Sequence, residues 1–405
     1  MEFISEKIET KIAHECDVLV VGGGFAGIAA ALSAAREGKK VILVEKSYYL
    51  GGLGTSGLVT IYLPICDGMG RQVSFGIAEE LLKMSIEHDH SGKSNVKRGL
   101  KNWVFGEGTR GPEDPRYYVE FNPALFAISA EQAIIKAGAE ILYGVSLVSA
   151  IVENEKIKYA VVEGKSGRYA IAAKSYIDAS GDADLAERAG APTAKFKYKN
   201  VLAAWYYFYD DTNGFDLRML GAADLMPGMK TVQKLSNMRF EGLEDTEIST
   251  FMQMSHDAIL KKVLESKESD PTHIPATIAS IPQFRMTRRI VGEYTFTLED
   301  DHKFFEDSVG LYSNWRKRGP VYELPMRSLY SAKIKNLACA GRNISVDDDM
   351  WEISRVIPCC SVMGEAAGVM AAMSDDFTTL DVKEVQKKLY GRGLKLHERE
   401  LPPLE

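Results

Sequence analysis

The first strongly patterned part of the chain is DVLVVGGGFAGIAAALSAAREGKKVILVEK, residues 17–46. Residues 17–21 form a short valine-rich apolar run, which is typical of a strand buried on both faces. Residues 28–37 are dominated by alanine and predict a helix, and the apolar run at residues 39–44 predicts a second strand. Strand, helix and strand in this order indicate one βαβ unit.

Helical and strand patterns alternate along the rest of the chain. Residues 121–138 predict a helix, with Asn122 as its N-cap and Pro123 at its first position. Residues 139–181 hold a run of short strands joined by polar turns, which predicts a β-meander. Between residues 193 and 325, the aromatic strand candidate VLAAWYYFY precedes the helical stretch EISTFMQMSHDAILKKVLES.

Three glycines of the βαβ unit, Gly22, Gly24 and Gly27, fit the pattern G-x-G-x-x-G. The first allows a sharp turn, the second lets a phosphate approach the backbone, and the third lets helix and strand pack closely. The helix N-terminus favours a pyrophosphate, and Glu45 ends the second strand where a ribose hydroxyl would be bound. We therefore predict a bound adenine dinucleotide, against the alternative of coincidental glycines in an ordinary βαβ unit. The Glu45 carboxylate would repel the 2′-phosphate of NADP, which argues against that cofactor.

Composition and charge limit the class of protein. The 405 residues are 45% hydrophobic and 26% charged, as in a soluble globular protein, and the net charge of −7 does not favour nucleic acid as a partner. Apolar runs stay well short of the ~18–20 residues of a membrane span, and the polar start MEFISEKIETKIAHE lacks the apolar core of a secretory signal. Five cysteines without framework spacing suggest a reducing compartment, and the seven histidines show no metal spacing. We expect a cytoplasmic protein with no membrane span and no metal site.

The stretch KSYYLGGLGTSGLVT, which begins directly after Glu45, favours a flavin over a nicotinamide. It contains the glycine pair Gly51 and Gly52, followed by Thr55. A flavin ring extends past the first nucleotide-binding unit and needs a second backbone-dense turn, for which a nicotinamide enzyme has no evident use. The sequence contains no second Rossmann glycine loop, so an integral NAD(P)H domain is not expected.

These segments resemble the FAD-dependent oxidoreductases of the glutathione-reductase-like fold, near the fumarate-reductase and thiazole-synthase flavoproteins. Residues 175–190, SYIDASGDADLAERAG, are similar to the family's second FAD motif, and residues 336–372 are similar to its closing segment. The resemblance implies bound FAD. The residues on which it implies FAD contacts are Gly22, Gly24, Phe25, Ala26, Gly27, Glu45, Lys46, Gly51, Gly52, Thr55, Val148, Ser180, Gly181, Asp182, Gly341, Arg342, Arg355 and Gly364.

The resemblance also implies an α/β fold, in which a Rossmann-like FAD-binding domain with a three-stranded β-meander carries an inserted α+β cap, or substrate, domain. Part of the expected cap is the polar stretch DHSGKSNVKRGLKN. The expected division is an FAD-binding domain at residues 15–57, 117–192 and 326–390, a cap at 58–116 and 193–325, and a C-terminal tail at 391–405.

The stretch PQFRMTRRIVGEYTFT is the strongest candidate for substrate contact in the cap. It resembles the family's R-x-T-R-x-I-x-G-x-Y segment, onto which Arg285, Arg288 and Tyr294 fall. An arginine here would clamp a carboxylate through two parallel hydrogen bonds, and we favour Arg288 over Arg285. The alternative is a solvated basic strand edge, or an ion pair to Glu293 or Asp300.

The closing segment supplies two further candidates. After Pro358 it predicts a helix of small residues, whose N-terminus would stabilise negative charge around N1 and O2 of a reduced flavin. Arg355 precedes this helix and is expected to contact flavin or substrate, with an ordinary loop ion pair as the alternative. Asp348 stands where related sequences often carry a histidine, which implies a changed substrate. A desolvated aspartate there would act as a base or bind a cationic group, unless the site is a solvated acidic loop.

The cysteines and histidines are weaker candidates. Cys359 and Cys360 are adjacent rather than spaced as C-x-x-C, which favours small helix-packing residues over a redox dithiol. Cys66 is ambiguous between a loop residue and one near the flavin. His302, beside Asp301, is the histidine with the best claim to a role in chemistry.

The leading hypothesis is an FAD-dependent oxidoreductase that exchanges a hydride between flavin N5 and a small organic substrate under the cap. The second is a non-catalytic flavin electron-transfer or interaction protein, and the third is a flavin-dependent hydroxylase or halogenase. The sequence is compatible with an external electron donor or acceptor and with a homo-oligomer, and it selects neither.

Overall fold

The computed structural model describes residues 4–87, 116, 118–221 and 234–403. The polar stretch at residues 89–102 lies outside the described residues, with most of the remainder of the expected first cap segment after residue 87. The helices that the described residues form are α1 (Phe25–Arg36), α2 (Ile77–Glu87), α3 (Pro123–Lys136), α4 (Asp184–Arg188), α5 (Asp245–Ser269), α6 (Asp348–Ser354), α7 (Ile357–Met373) and α8 (Val382–Gly391).

The strands in the same part of the chain are mostly short. They are β1 (Lys11–Val21), β2 (Val41–Glu45), β3 (Ile61–Tyr62), β4 (Val119–Glu120), β5 (Glu140–Tyr143), β6 (Ser146–Glu153), β7 (Lys156–Gly164), β8 (Gly167–Asp178), β9 (Thr193–Lys195), β10 (Ala204–Asp210), β11 (Gly214–Leu220), β12 (Ile274–Ile278), β13 (Arg288–Ile290), β14 (Ser308–Ser313), β15 (Val321–Pro325) and β16 (Leu337–Cys339).

A seven-stranded sheet forms the centre of the molecule. Its order is β5-β2-β1-β8-β7-β6, and β16 pairs with β8. Strand β8 serves both halves: its first part runs antiparallel to β7, most of its length runs parallel to β1, and its last residues also run parallel to β16. The parallel half contains the predicted βαβ unit, and β6, β7 and β8 form the predicted three-stranded meander. Both predictions are confirmed.

The parallel strands end together at one edge of the sheet. Val21 of β1 is aligned with Val44 of β2 and with Asp178 of β8, and Asp178 is aligned with Cys339 of β16. In open parallel sheets, ligands bind outside the carboxyl ends of the strands, because the connecting loops diverge there. The register therefore places the loops after β1, β2, β8 and β16 around one site.

Helices α1 and α7 pack against each other in the main core. Both are rich in alanine and almost fully buried. A Cβ atom added to Gly364 would lie 2.2 Å from the carbonyl oxygen of Ala26, and one added to Gly368 would lie 2.6 Å from that of Ala30. Glycine at these two positions lets the helix backbones touch, so the small residues predicted for the late helix serve close packing.

Two helix starts illustrate how local sequence fixes the elements. The Asn122 side chain accepts hydrogen bonds from the amides of Ala124 and Leu125 at the start of α3, as predicted. Asp347 accepts from the Met350 amide at 2.7 Å and caps α6. The acidic run at residues 347–349 therefore starts a helix and is not a solvated loop.

The segment between β9 and β13 has small cores of its own. Strands β10, β11 and β12 form a three-stranded sheet, and β10 and β11 pack on α5 through Ala204, Tyr206, Phe208, Leu220, Ile259 and Val263. A second cluster joins Leu202, Phe240, Phe251 and Phe284. By contrast, Phe296, Tyr312 and Leu324 belong to the main core, as do Tyr62 and Leu81 of the first expected cap segment and Leu396 near the C-terminus.

Among the described helices, none alone has the length and apolar character needed to cross a membrane. Helices α6 and α7 meet that test only as a pair, and the pair is bent by 90°.

Candidate cofactor-binding and active site

A cavity of about 420 Å³ lies at the edge where β1, β2, β8 and β16 end. One part of its wall comes from the strand-end loops and the first turns of α1 and α7. Of the residues predicted to contact FAD, those in this wall are Gly22, Gly24, Phe25, Ala26, Glu45, Lys46, Gly51, Gly52, Ser180, Gly181, Asp182, Gly341, Arg342 and Arg355.

The glycines after β1 form a cradle that fits a pyrophosphate. Gly22 has φ of +103°, and a Cβ there would lie 2.5 Å from the carbonyl oxygen of Ala179, so only glycine suits this turn. A Cβ on Gly24 would meet nothing within 4 Å, although Gly24 lines the cavity. The space that this side chain would occupy is therefore open for a ligand close to the backbone.

Glu45 is held in a fixed position at the end of β2. Its Oε2 accepts a hydrogen bond from the Gly23 amide at 2.7 Å, and its Oε1 accepts from the amide and hydroxyl of Ser47, both at 2.8 Å. The side chain is buried yet lines the cavity. A carboxylate has about four acceptor sites, so ribose hydroxyls can still donate to it.

Two helix N-termini point at the cavity without a side-chain cap. Gly24 is the N-cap of α1 and Val356 is the N-cap of α7, and neither provides a side-chain hydrogen bond. Both residues line the cavity. The first amides of a helix lack an intrahelical acceptor and carry partial positive charge, which favours an anionic ligand. Both helix N-termini therefore suit anionic groups of a bound ligand, such as the pyrophosphate of FAD.

We expect Glu45→Gln to weaken FAD binding by about ten- to a hundredfold, since a charged hydrogen-bond acceptor contributes roughly 1.5–3 kcal/mol. The amide keeps the size of the side chain but has one acceptor oxygen, and its NH₂ group would face either Gly23 or Ser47. Titrating apoprotein with FAD, followed by flavin fluorescence, measures the effect. Glu15→Gln on exposed β1 is the matched control. Unchanged affinity in the Glu45 variant would show that this carboxylate does not hold the ribose.

Asp178 organises the loop after β8. This fully buried carboxylate accepts hydrogen bonds from the Ser180 amide at 3.0 Å, the Ser180 hydroxyl at 2.6 Å and the Ala186 amide at 2.9 Å. The Asn343 side chain donates a further bond at 3.1 Å. Burial raises the pKa of Asp178. The sequence marks Asp178 only as a strand end, whereas the structure makes it the residue that shapes the cavity wall at residues 179–182.

A second part of the cavity wall comes from residues between β9 and β16. It contains Trp205, Ile248, Ile281, Phe284, Arg285 and Trp315. Arg285 is only 4% exposed, and its guanidinium carbon lies 5.1 Å from the centre of the Trp205 ring. The sequence favours Arg288 over Arg285 and does not point to either tryptophan. The aromatic content of VLAAWYYFY was the available signal for Trp205.

Arg288, the favoured substrate residue, lies outside this cavity lining. Its Nε donates to the carbonyl oxygen of Asp182 at 3.0 Å, and its Nη atoms lie 2.9 Å from Asp184 and 3.6 Å from Glu187. The partners are thus acidic residues of α4 rather than the Glu293 or Asp300 considered from the sequence. In this position Arg288 ties β13 to the loop after β8.

Tyr294 and Asp348 also lie outside the cavity lining. The Tyr294 hydroxyl donates to Asp300 at 2.8 Å and accepts from Lys303 at 3.0 Å, and burial raises its pKa. Asp348 is the first residue of α6, and its carboxylate lies 3.6 Å from the Lys197 ammonium. The structure therefore does not bring either side chain to the cavity beside Arg285.

Arg355 forms an ion pair and also lines the cavity. It lines the cavity immediately before α7, and its guanidinium lies 3.8 Å from the Glu352 carboxylate. Glu352 also accepts a hydrogen bond from Arg316, and its backbone oxygen accepts from the Trp315 ring. This ion pair links the start of α7 to the wall that carries Trp315.

The other four residues predicted to contact FAD make contacts within the protein instead of lining the cavity. A Cβ on Gly27 would lie 1.9 Å from the carbonyl oxygen of Gly22, so Gly27 packs under the turn, as Gly364 packs under α1. Thr55 donates to the Leu50 carbonyl at 2.5 Å, and the Val148 carbonyl accepts from Arg188 at 3.1 Å. None of these four residues is in the cavity lining.

The cysteines and histidines take structural positions. Cys360 lines the cavity, but burial raises its pKa to about 12, so the thiol is unreactive near neutral pH. Cys359 is buried, and both thiols donate to backbone carbonyls. His302 lies 2.8 Å from Glu398 rather than contacting Asp301. Among the residues that the structure describes, no three His, Cys, Asp or Glu side chains form a metal-binding group.

The chain matches the family model described as FAD dependent oxidoreductase over residues 17–197 and 210–389. It is 28% identical over 204 residues to digeranylgeranylglycerophospholipid reductase of Thermoplasma acidophilum, covering 47% of this chain and 46% of that protein. It is 65% identical over 37 residues to 4-oxocyclohex-2-ene-1-carboxylate 5-dehydrogenase of Sinomonas cyclohexanicum, covering 9% of this chain and 6% of that protein. The chain thus spans less than half the length of these curated relatives.

One solved structure with a similar arrangement is a geranylgeranyl bacteriochlorophyll reductase-like protein from Thermoplasma acidophilum. The two share 16% sequence identity with a TM-score of 0.46, over 94% of this chain and 84% of the other.

Proposed function

Because the chain belongs to the FAD dependent oxidoreductase family, we propose that it exchanges a hydride between N5 of bound FAD and a small organic substrate. The observation that carries this proposal is the continuity of the cavity. A single space of about 420 Å³ is bounded on one side by the glycine cradle and Glu45 and on the other by Trp205, Arg285 and Trp315.

The residues of the first wall have binding roles in this proposal. Glu45 and the backbone at Gly22–Gly24 and Gly51–Gly52 hold the ADP part, and the amides at the start of α7 stabilise negative charge on the ring system. Asp182 and Arg342 lie between the two walls. Arg342 donates to the carbonyl oxygens of Phe284 at 3.2 Å and Arg285 at 3.0 Å, and its other nitrogen lies 3.4 Å from Asp182. Arg342 thereby fixes the substrate wall relative to the cofactor wall.

We assign the substrate-covering role to the described residues between 202 and 285 together with Trp315, a smaller part of the chain than the cap expected from sequence. This part has two small hydrophobic clusters separate from the main core. It also supplies Trp205, Ile248, Ile281 and Phe284 to the cavity wall. Much of the rest of the expected cap that the structure describes supports the FAD-binding domain, since Phe296, Tyr312 and Tyr62 pack in the main core.

The test is anaerobic stopped-flow spectroscopy of the FAD-loaded protein. A panel of small alcohols, amines, saturated acids and, for the reduced protein, unsaturated acids is mixed with it while the visible flavin absorbance is followed. We expect at least one class to reduce or reoxidise the flavin much faster than it acts on free FAD, which is the control. If only protein electron carriers change the flavin absorbance, the protein is an electron carrier and the proposal is wrong.

A further inference from the structure

Resting on the function proposed above, we infer that the substrate is a carboxylic acid with a flat apolar body, and that Arg285 binds its carboxylate. The juxtaposition behind this inference is one buried guanidinium within a wall made of two tryptophans and aliphatic side chains. The sequence offers both Arg285 and Arg288 as candidates for this role and favours Arg288.

The charge of the substrate wall comes from Arg285. Arg285 is the ionisable residue among the described residues between β9 and β16 that line the cavity. It is 96% buried, since only 4% of its surface is exposed. A buried guanidinium at the cavity surface attracts a ligand of opposite charge strongly, because solvent screening there is weak. The planar guanidinium matches a carboxylate through two parallel hydrogen bonds.

The backbone at Arg285 is held from two sides, so its position is set before a ligand arrives. Its amide donates to Asn200 Oδ1 at 3.0 Å, and its carbonyl oxygen accepts from Arg342 at 3.0 Å. Asn200 is itself buried and donates to the carbonyl oxygen of Met286 at 2.6 Å. A charged group on a fixed segment loses little conformational freedom on binding, which is the arrangement expected of a recognition residue.

The remaining side chains of this wall select the body of the ligand. Trp205 lies against the Arg285 guanidinium, and Trp315 lines the same cavity with Ile248, Ile281 and Phe284. Indole and phenyl faces favour flat hydrocarbon groups over hydrated polar ones. A small acid such as acetate has a carboxylate that can pair with Arg285 but no flat apolar surface to pack on these side chains. An aromatic carboxylate has both the charged group and the apolar ring.

The test uses benzoate as probe, with benzamide as its neutral isostere and acetate as the anion without a ring. Each is titrated into FAD-loaded protein in the oxidised state, and binding is read from the perturbation of the flavin spectrum. We expect benzoate to bind at least about tenfold more tightly than benzamide or acetate. In Arg285→Met, benzoate affinity should fall by roughly 10- to 100-fold while benzamide affinity stays within about threefold.

Arg289→Met is the matched control. Arg289 is also partly buried against an indole, with its guanidinium carbon 5.5 Å from the centre of the Trp351 ring, but it does not line the cavity. The Arg289→Met protein should bind benzoate with the same affinity as the wild type. If Arg285→Met does not fold, the pair Arg285→Lys and Arg289→Lys replaces it. Lysine keeps the charge but not the fork, so Arg285→Lys should show a smaller loss of benzoate affinity and Arg289→Lys none.

Three outcomes would overturn the inference. Equal binding of benzoate and benzamide by the wild type would mean that the cavity does not select an anion. Loss of bound FAD in Arg285→Met or Arg285→Lys would assign Arg285 to the cofactor. Unchanged benzoate affinity in these variants would exclude a role in anion binding. In each case the proposed function stands if a neutral compound changes the flavin absorbance in stopped flow, and it fails only if no small molecule does.

Discussion

Gly24→Val is expected to fold normally and to bind FAD at least about 100-fold more weakly than the wild type. The Cβ of this residue would meet nothing within 4 Å in the protein, so we expect the chain to accept a side chain here without moving. Its φ of −69° and ψ of −179° lie in the extended region that valine adopts readily. The new methyl groups would occupy the space next to the first amides of α1, where the pyrophosphate fits. A clash with an anchored ligand costs about 3 kcal/mol, or two factors of ten in affinity.

The measurement compares the FAD content of purified protein with its thermal stability. We expect Gly24→Val to be colourless and to melt with the wild-type apoprotein. Gly391→Val is the matched control, because a Cβ at Gly391 also meets nothing within 4 Å but the residue lies at the end of α8, away from the cavity lining. It should retain full FAD content. A yellow Gly24→Val protein with one FAD per chain would place the pyrophosphate elsewhere.

Local sequence defines most of the cofactor site. Strand, glycines, helix and terminal acid occur in order along residues 17–45, and each has a local conformational reason that the sequence reveals. The alignment of Val21 with Val44 and Asp178 then follows from the parallel sheet. Local patterns and the resemblance therefore anticipate the fold and the glycine cradle with little help from distant contacts.

The substrate wall is different, because distant contacts decide which side chains face the cavity. The chain from residue 279 to 287 has no regular strand, so the alternation of side chains along a strand does not apply to Arg285 and Arg288. The backbone of Arg285 is fixed by its amide, which donates to Asn200, and by its carbonyl oxygen, which accepts from Arg342; these partners are 85 and 57 residues away in sequence. A pattern in PQFRMTRRIVGEYTFT could not reveal either partner. This is why the sequence favours Arg288, which the structure places against Asp184 and Glu187 instead.

At Gly364 the sequence motif is present, but the glycine packs between two helices instead of lining the cavity. The closing segment resembles an FAD motif, and Gly364 was expected to contact the cofactor. In the structure it lies where α7 crosses α1, with a hypothetical Cβ 2.2 Å from the Ala26 carbonyl oxygen and 2.8 Å from the Ala29 Cβ. Its role in FAD binding is therefore indirect: it allows α1 and α7 to approach, and both helices begin at the cavity.

Gly364→Val is accordingly expected to destabilise the apoprotein by about 3 kcal/mol or more, since overpacking in a rigid core has few ways to relax. The nearest atoms are backbone and a Cβ of the facing helix, not the flexible end of a side chain, so α1 itself must move. For a chain of 405 residues we expect the melting temperature to fall by roughly 3–4 °C or more, with loss of FAD as a consequence. Gly391→Val again serves as control, because it adds the same side chain to a helical glycine with open space around it.

Melting the apoproteins separates this effect from that of Gly24→Val. Both variants should lack FAD, but only Gly364→Val should melt below the wild-type apoprotein, because only its added methyl groups collide with the protein itself. If apo Gly364→Val melts with the wild type, α1 and α7 do not touch at this position. The reason for glycine there would then have to be a direct contact with the cofactor, as the sequence motif alone suggests.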